Sequence, residues 1–444
     1  MTQKRISNGM TIFLIIWLGQ FVSLMGSGLT NFALGVWVFE RTGSITQFAL
    51  IGLFTVLPRI ILSPLIGPLV DRWDRRWAMI SGDIGAGFST FVIVLLLMVN
   101  RLEIWHIYLV AGISSAFGTV QWPAFMATTT LLVSKKNLGR ANGMVQFGQA
   151  ASEILAPALA GTLLLTIQLQ GVILIDFATF LFAVISLMLV RLPKPTTPIS
   201  EKFEKSSWWR EISYGWEYIT ARPGLFGLLM FLAAVNFLWG MVGALITPMI
   251  LSFTSSDILG LIIAVAGGGM LTGSLVMGIW GGPQRRIYGV LNFELLSGVC
   301  FLLMGLRPSF WPVAVGAFGA HFTIAIVYGS NQAIWQSKVA PDVQGRVFAT
   351  QQMMARAATP LAYLLAGPLA ERFFEPLLAT DGLLSGSVGQ LIGLGAGRGI
   401  ALLFIVMGVL KMTVSLAGYL NPRIRHVEEE LPDVVFERST ALAA

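Results

Sequence analysis

Three ionisable residues stand inside long apolar stretches of this chain: Glu153, Arg59 and Arg356. An acid with arginines nearby in such surroundings could exchange a proton for a cargo molecule, because a charge in lipid is costly and is kept where it has a use. The alternative chemistry is a fixed ion pair that orders helix packing. Other apolar stretches carry the amides Gln20, Asn31, Gln121, Asn236 and Gln332, and near them the indoles Trp122, Trp239 and Trp335. Amides beside large rings suit a bulky amphipathic ligand, since apolar pockets with few polar anchors hold such molecules. Interhelical hydrogen bonding is the competing role for these side chains. The sequence has no G-x-x-x-x-G-K-[ST] phosphate loop and no H-E-x-x-H pair, and His106, His321 and His426 are far apart. No enzyme, metal site or other cofactor is therefore expected.

The elements that must position these residues follow from composition. Of 444 residues, 55% are hydrophobic and only 11% are charged, and the mean hydropathy is +0.76. A soluble domain carries roughly 25% charged residues, so a soluble enzyme is excluded, as are a disordered chain and a disulfide scaffold. Cys300 is the single cysteine and can form no intrachain disulfide. The net charge of +7 arises from basic residues scattered in short loops, which does not point to nucleic acid. A helix needs about 20 apolar residues to cross a hydrocarbon core. Twelve such spans are placed at 11–38, 46–70, 77–99, 104–132, 141–166, 170–190, 224–252, 257–281, 287–306, 311–336, 346–372 and 398–420. The expected fold is an all-α polytopic membrane protein. Its first span follows Lys4-Arg5 and lacks an A-x-A-like cleavage site, so it reads as an uncleaved helix.

Basic residues set the orientation. With the N-terminus cytoplasmic, 21 of the 29 Lys and Arg residues fall on the inner side, and only Arg41, Arg101, Arg307, Arg372 and Arg398 fall on the outer side. Both termini are expected in the cytoplasm, in a cytoplasmic or plasma membrane. Within this frame Glu153 lies about 19 Å deep, and Arg59 and Arg356 roughly 15–18 Å deep, so all three approach the midplane. Asp83 and Glu294 lie about 10 Å from the inner surface and are expected to pair with loop arginines. Asp176 reads as a helix-end contact, and Lys411 as a snorkelling or paired lysine.

The chain also resembles itself at an offset of roughly 206–216 residues. Arg75-Arg76 answers to Arg285-Arg286, Asp83 to Glu294, and Gly139-Arg140 to Gly345-Arg346; Gln20 and Asn236 hold matching places. Two halves of six spans each share one topology, which makes a parallel repeat about an axis along the membrane normal, with a site expected between them. The division is residues 1–190 and 224–420, joined by a linker at 191–223 and followed by a tail at 421–444. Trp209, Ile212, Trp216 and Ile219 place an interfacial amphipathic helix in the linker. Glu428, Glu429 and Glu430 read as a solvated acidic tail.

Between spans two and three the chain reads Gly67-Pro-Leu-Val-Asp71-Arg72-Trp-Asp-Arg75-Arg76. This resembles the G-x-x-x-D-R-x-x-R-R loop of the major facilitator superfamily, and the second half keeps a worn copy at 278–286 that lacks the acid. Gly67 permits close helix approach, Asp71 can meet the positive end of a neighbouring helix, and Arg72, Arg75 and Arg76 can pair with acids or phosphates, which together make an inner gate. Span five contains Ala156-Pro157-Ala-Leu-Ala160-Gly161, similar to a softened form of the G-P-x-x-G-G signature of the drug–proton antiporters. Ile175-Asp176-Phe-Ala-Thr179-Phe180 and Gly395 to Ile400 resemble the macrolide-efflux and enterobactin-exporter branch.

The resemblance implies that spans two, five, eight and eleven border the interface between halves, with Glu153, Arg59 and Arg356 as coupling residues. It also implies that spans one, four, seven and ten line the cavity through the amides and indoles named above. The function it implies is proton-driven efflux of a drug, macrolide-like product or siderophore by a monomer in the bilayer, with a proton gradient as energy source. An importer of the same fold, or a membrane sensor or assembly protein, are the other classes.

Overall fold

The computed structural model describes residues 2–72, 75–133, 138–190, 208–339 and 343–430, and these contain helices and no strand. In an apolar medium every backbone N–H and C=O must be bonded within its own segment, which a helix achieves. The first group is α1 (Thr2–Thr42), α2 (Ile45–Arg72), α3 (Arg75–Met98), α4 (Ile104–Leu132) and α5 (Leu138–Leu189). A short helix, α6 (Trp208–Thr220), leads to the second group. That group is α7 (Pro223–Leu251), α8 (Ser256–Trp280), α9 (Arg286–Leu306), α10 (Phe310–Lys338), α11 (Gln344–Arg356) and α12 (Thr359–Leu369). A π-turn (Ala370–Phe374), α13 (Glu375–Leu377), α14 (Val388–Ile392), α15 (Arg398–Leu420), α16 (Pro422–Arg425) and α17 (Val427–Glu430) complete it.

Among the described residues nine helices are long and apolar enough to cross a membrane. Expected spans five and six fall together on α5, which turns at Gln168 with φ 58°. Expected span eleven is divided at Ala357-Ala358, where α11 stops beside Arg356 and α12 starts with Pro360 in its first turn. The linker residues 191–207 and the tail beyond 430 lie outside the described residues. The end of the linker forms α6, whose Ile219 is fully buried against α7 and α11.

The two groups cross mainly at two places, α5 against α8 and α2 against α12. Both crossings depend on missing side chains. A Cβ on Gly161 would stand 2.5 Å from the Ser256 carbonyl oxygen, and one on Gly260 would strike the Pro157 carbonyl. Gly367 lies against Thr46 and Gly52 against the Tyr363 ring in the same way. These contacts lie toward the face opposite the chain ends (the far face). There Glu371 reaches across from the π-turn to the start of α2, accepting hydrogen bonds from Ser44 Oγ (2.8 Å), Thr46 Oγ1 (2.6 Å) and Thr46 N (3.0 Å). Nearer the chain ends, Gly268 and Gly278 of α8 meet nothing within 4 Å, and Arg59, Phe147, Leu275 and Arg356 are exposed. Among the described residues the halves are therefore closed at the far face and parted toward the face that carries the chain ends (the terminal face).

Part of the acidic tail is docked, contrary to the expectation of a solvated segment. Glu428 accepts from Arg286 N (3.2 Å) and Ile287 N (2.9 Å) at the start of α9, Lys338 Nζ donates to the Glu428 carbonyl, and Glu429 pairs with Arg285 at 3.0 Å. Val427 and Ile424 are buried beneath it. The reason is that the first N–H groups of α9 have no intrahelical acceptor and carry the positive end of the helix dipole. The worn second-half loop lacks its own acid, and a carboxylate from the tail stands at the arginine pair instead.

Two outcomes follow. Gly161→Leu inserts a side chain into the α5–α8 crossing and disfavours far-face closure by about 1–3 kcal/mol. In a Cys300→Ser background, a cysteine at Thr247 then reacts faster with a membrane-impermeant maleimide; an unchanged rate contradicts the crossing described. Glu428→Ala removes a helix cap worth about 1 kcal/mol, so the first amides of α9 exchange deuterium faster. Glu429→Ala, which breaks an exposed pair, leaves stability within about 1 kcal/mol and those amides protected.

Candidate functional site

Between the halves, below the far-face crossings, lies a cavity of about 490 Å³. α1 supplies Ser27, Asn31 and Phe32, α2 supplies Phe48 and Ile51, and α5 supplies Ser152, Glu153 and Pro157. Thr247 of α7 and Tyr363 of α12 close it from the second half. The walls are mostly apolar with a few hydroxyls, one amide and one acid, in the size range of about 300–1,000 Å³ that small-molecule sites occupy.

Glu153 is an exposed member of this wall. It owes its setting to its neighbours along α5. Ser152, at the edge of the wall, donates to the Leu24 carbonyl at 3.0 Å, and Ala156 is fully buried, its Cβ only 2.7 Å from where a Cβ on Gly28 would sit. That close approach of α1 and α5 points the next face of α5, with Glu153 and Pro157, into the cavity. Pro157 lacks an N–H, so the Glu153 carbonyl loses its usual helix donor while α5 continues unbroken at that point. Ala160 is fully buried on the same face as Ala156, and Gly161 makes the α8 crossing. The four small or proline residues of this motif thus serve two contacts, one with α1 and one with α8.

Arg59 and Arg356 do not meet Glu153 in an ion pair among the described residues. They face each other across the seam, close enough for their like charges to repel. Arg59 Nε donates to Ser115 Oγ at 3.2 Å, which ties it to α4. The acid lies on the cavity wall, and the two cations lie on the parted side.

The amides and indoles expected on the wall are dispersed. Of these, only Asn31 borders the cavity. Gln20 and Gln121 instead hold the buried Asp83: Gln20 Nε2 donates to Oδ2 at 2.9 Å, Gln121 Nε2 donates to Oδ1, and Gln121 also donates to Gln20 Oε1 at 2.7 Å. Asn236, the repeat-mate of Gln20, donates to the Ala355 carbonyl at 3.1 Å beside Arg356. Trp239 packs edge-on against Phe301 and His321. Trp335 is 1% exposed and donates to Asn331 at 3.1 Å within the second-half core. Trp122 is partly exposed beside Phe125, and Gln332 is half-buried. The rings of Trp239 and Trp335 fill helix junctions, where each buries more apolar area than at an open wall.

The buried acids also differ from expectation. Among the described residues neither Asp83 nor Glu294 pairs with a loop arginine. Glu294 is bonded to Lys411 Nζ at 2.8 Å, and Lys411 also donates to Ser297 Oγ at 2.8 Å and sits 4.5 Å from the Trp239 and Phe301 ring centres. Asp176 is not a helix-end contact but is 3% exposed and bonded by hydroxyls of other helices. Burial at lipid level makes each acid take an internal donor, because an unpaired charge there is costly.

Of the gate loop, the side chains of Gly67, Asp71, Arg72 and Arg75 lie outside the described residues, as do residues 73 and 74. Arg76, at the start of α3, donates to the Met188 carbonyl at 2.9 Å, where the exposed carbonyls of the end of α5 accept a cation.

Thr247 was missed in the sequence, although a signal for it was present. The offset of 216 residues that relates Gln20 to Asn236 also relates Asn31 to Thr247 and Ser27 to Gly243, and all four of these border the cavity. Tyr363 carries no comparable sequence signal; only the packing of its ring on Gly52 brings it to the wall.

Comparison with known proteins agrees with this geometry. The chain is 29% identical over 383 residues to macrolide efflux protein A of Streptococcus pyogenes, covering 83% of this chain and 92% of that protein. It is 24% identical over 402 residues to the multidrug efflux pump Tap of Mycobacterium tuberculosis, covering 83% and 88%. In three dimensions it is similar to a bacterial homologue of the human lysosomal transporter Spinster in an inward-facing, unoccupied conformation, with a TM-score of 0.68, 15% identity, and 96% and 99% of the two chains covered. The model of the Major Facilitator Superfamily matches residues 16–363. A membrane-embedded, two-fold bundle with a small-molecule cavity at its seam is a transporter and not an enzyme, and this chain belongs to the major facilitator superfamily.

Proposed function

We propose that this transporter exports an amphipathic small molecule in exchange for protons, by alternating access of the cavity between the halves. The observation that carries the reading is the position of Glu153 on a mostly apolar cavity wall without a cationic partner among the described residues. An acid so placed can be neutralised either by a proton or by a ligand with a basic group, and one excludes the other. The relatives named for macrolide and multidrug efflux support the direction and the substrate class. The cavity favours amphipathic over highly charged cargo, because its acceptors and donors are few and its rings and aliphatic groups are many.

The working cycle rests on two units of six spans, 1–190 and 224–420, rocking about the cavity, with twelve crossings in all. Arg59 and Arg356 repel across the seam and hold the terminal face apart; closing that face brings the charges nearer at a Coulombic cost. Glu371 and the Gly161 crossing hold the far face shut in this state. The gate loop Gly67 to Arg76 and its tail-completed counterpart at Arg285-Arg286 secure the terminal face in the other state. The chain works as a monomer in the cytoplasmic membrane with both termini in the cytoplasm, an orientation that the bias of basic residues toward one side supports.

The test is transport of a macrolide and of a fluorescent amphipathic cation by inverted vesicles under an imposed proton gradient. Uptake is expected with an acidic interior, and Glu153→Gln lowers the gradient-driven rate at least about tenfold, about 1.4 kcal/mol in the barrier, while equilibrium binding of the neutral macrolide changes little. Accumulation by intact cells without efflux from them overturns the export direction. An unaltered gradient response in Glu153→Gln overturns the role of that residue.

A further inference from the structure

Asp176 lies in the second limb of α5, directly behind the cavity wall. Ser27 of α1 borders the cavity and also donates to Asp176 Oδ1 at 3.3 Å. Thr90 of α3 donates to Oδ2 at 3.1 Å. Thr30, one turn beyond Ser27, is 7% exposed and has its hydroxyl beside the same carboxylate, outside hydrogen-bond geometry. Gly26 is required beside this group, since a Cβ there would stand 2.9 Å from Asp176 Oδ1. No lysine, arginine or histidine of α1, α3 or α5 pairs with the carboxylate among the described residues.

The other buried acids show why this one is different. Glu294 has a full counter-charge in Lys411. Asp83 is held at both oxygens by amide N–H groups, which can only donate and would repel a cation. The partners of Asp176 are all hydroxyls, each able to donate to a carboxylate or to turn a lone pair toward a cation. A carboxylate and three hydroxyl oxygens, drawn from three helices, form an all-oxygen set with one net negative charge. Such a set matches a hard cation of charge +1 and lacks the further carboxylates a divalent ion requires.

We propose that Asp176, Ser27, Thr30 and Thr90 bind one small monovalent cation, a sodium ion or a proton, which reaches them from the cavity past Ser27. A sodium ion takes the lone pairs of the three hydroxyls together with the carboxylate. A proton makes Asp176 a donor to Thr30 Oγ1 while Ser27 and Thr90 keep their present bonds. Either one neutralises the buried acid and gives the Thr30 hydroxyl a partner. Occupancy ties α1, α3 and α5 together within one half, at the point where α1 forms the cavity wall. The site rests on the chain being a transporter but not on the coupling role given to Glu153.

The experiment uses the full chain in lipid nanodiscs and reads thermal unfolding. In one arm sodium chloride replaces N-methylglucamine chloride at constant ionic strength and alkaline pH; in the other the pH is lowered without sodium. The wild type is expected to gain stability in one arm, which identifies the cation, and Asp176→Asn loses that gain. Thr30→Val and Ser27→Ala keep the acid and raise the half-saturating cation concentration about tenfold, as loss of one polar partner to a charged group implies. These two variants decide the matter if Asp176→Asn does not fold. Equal responses of wild type and variants in both arms overturn the site. A cation response that survives in Glu153→Gln, with transport lost, separates this site from the coupling reading.

Discussion

A polar group surrounded by hydrocarbon must find its partner inside the protein, and much of this structure is arranged around that requirement. Helices satisfy the backbone, but each buried acid has to be satisfied separately. The first half does so with neutral donors, amides around Asp83 and hydroxyls around Asp176. The second half uses a cation, placing Lys411 against Glu294 at the position that answers to Asp83 in the repeat. Two halves of common topology have therefore reached different electrostatic solutions at equivalent places. The first half leaves its acids with neutral donors only among the described residues, whereas the second half has one held by a counter-charge and two aromatic rings.

The same requirement shapes the seam. Hydrophobic attraction between helices is weak in lipid, so close approach and a few polar ties must do the joining. Gly161 and Gly260 bring α5 and α8 to backbone contact, and Glu371 bonds the start of α2 from the opposite half. These ties lie on the far side of the cavity, while on the other side two arginines repel. Small residues thus let one face shut, and two arginines of like charge stand on the face that is parted. Glu428, at the start of α9, shows the same logic at the membrane surface: a helix end without an acid in its own loop takes one from the tail.

Much of the fold was legible in the sequence. Apolar runs mark crossings because their length is set by bilayer thickness, and the repeat is visible because its charged pairs recur at the same helix ends. The turn between the limbs of α5 falls near residue 168 as the end of the apolar run requires. The site was legible only in part. Glu153 and Asn31 reach the cavity, but Gln20, Gln121, Trp239 and Trp335 take up packing roles within their halves. Depth along a helix can be counted from a sequence; the direction a side chain takes around the helix depends on which neighbours crowd it. Thr247 could have been found by applying the repeat offset to Asn31, and Tyr363 could not.

The sequence by itself determined that this chain lives in a membrane, that it is built as two related halves, and that it carries a loop resembling the gate motif of its superfamily. Those are properties of composition, run length and spacing, which are local and additive along the chain. Tertiary structure alone decided that Lys411 meets Glu294, that Asp176 stands behind Ser27, and that a tail acid completes the second-half loop. Each of these joins residues far apart in sequence through a distance of about 3 Å. Pairing on that scale is set by the rotation and crossing of whole helices, which packing determines and spacing along one helix does not.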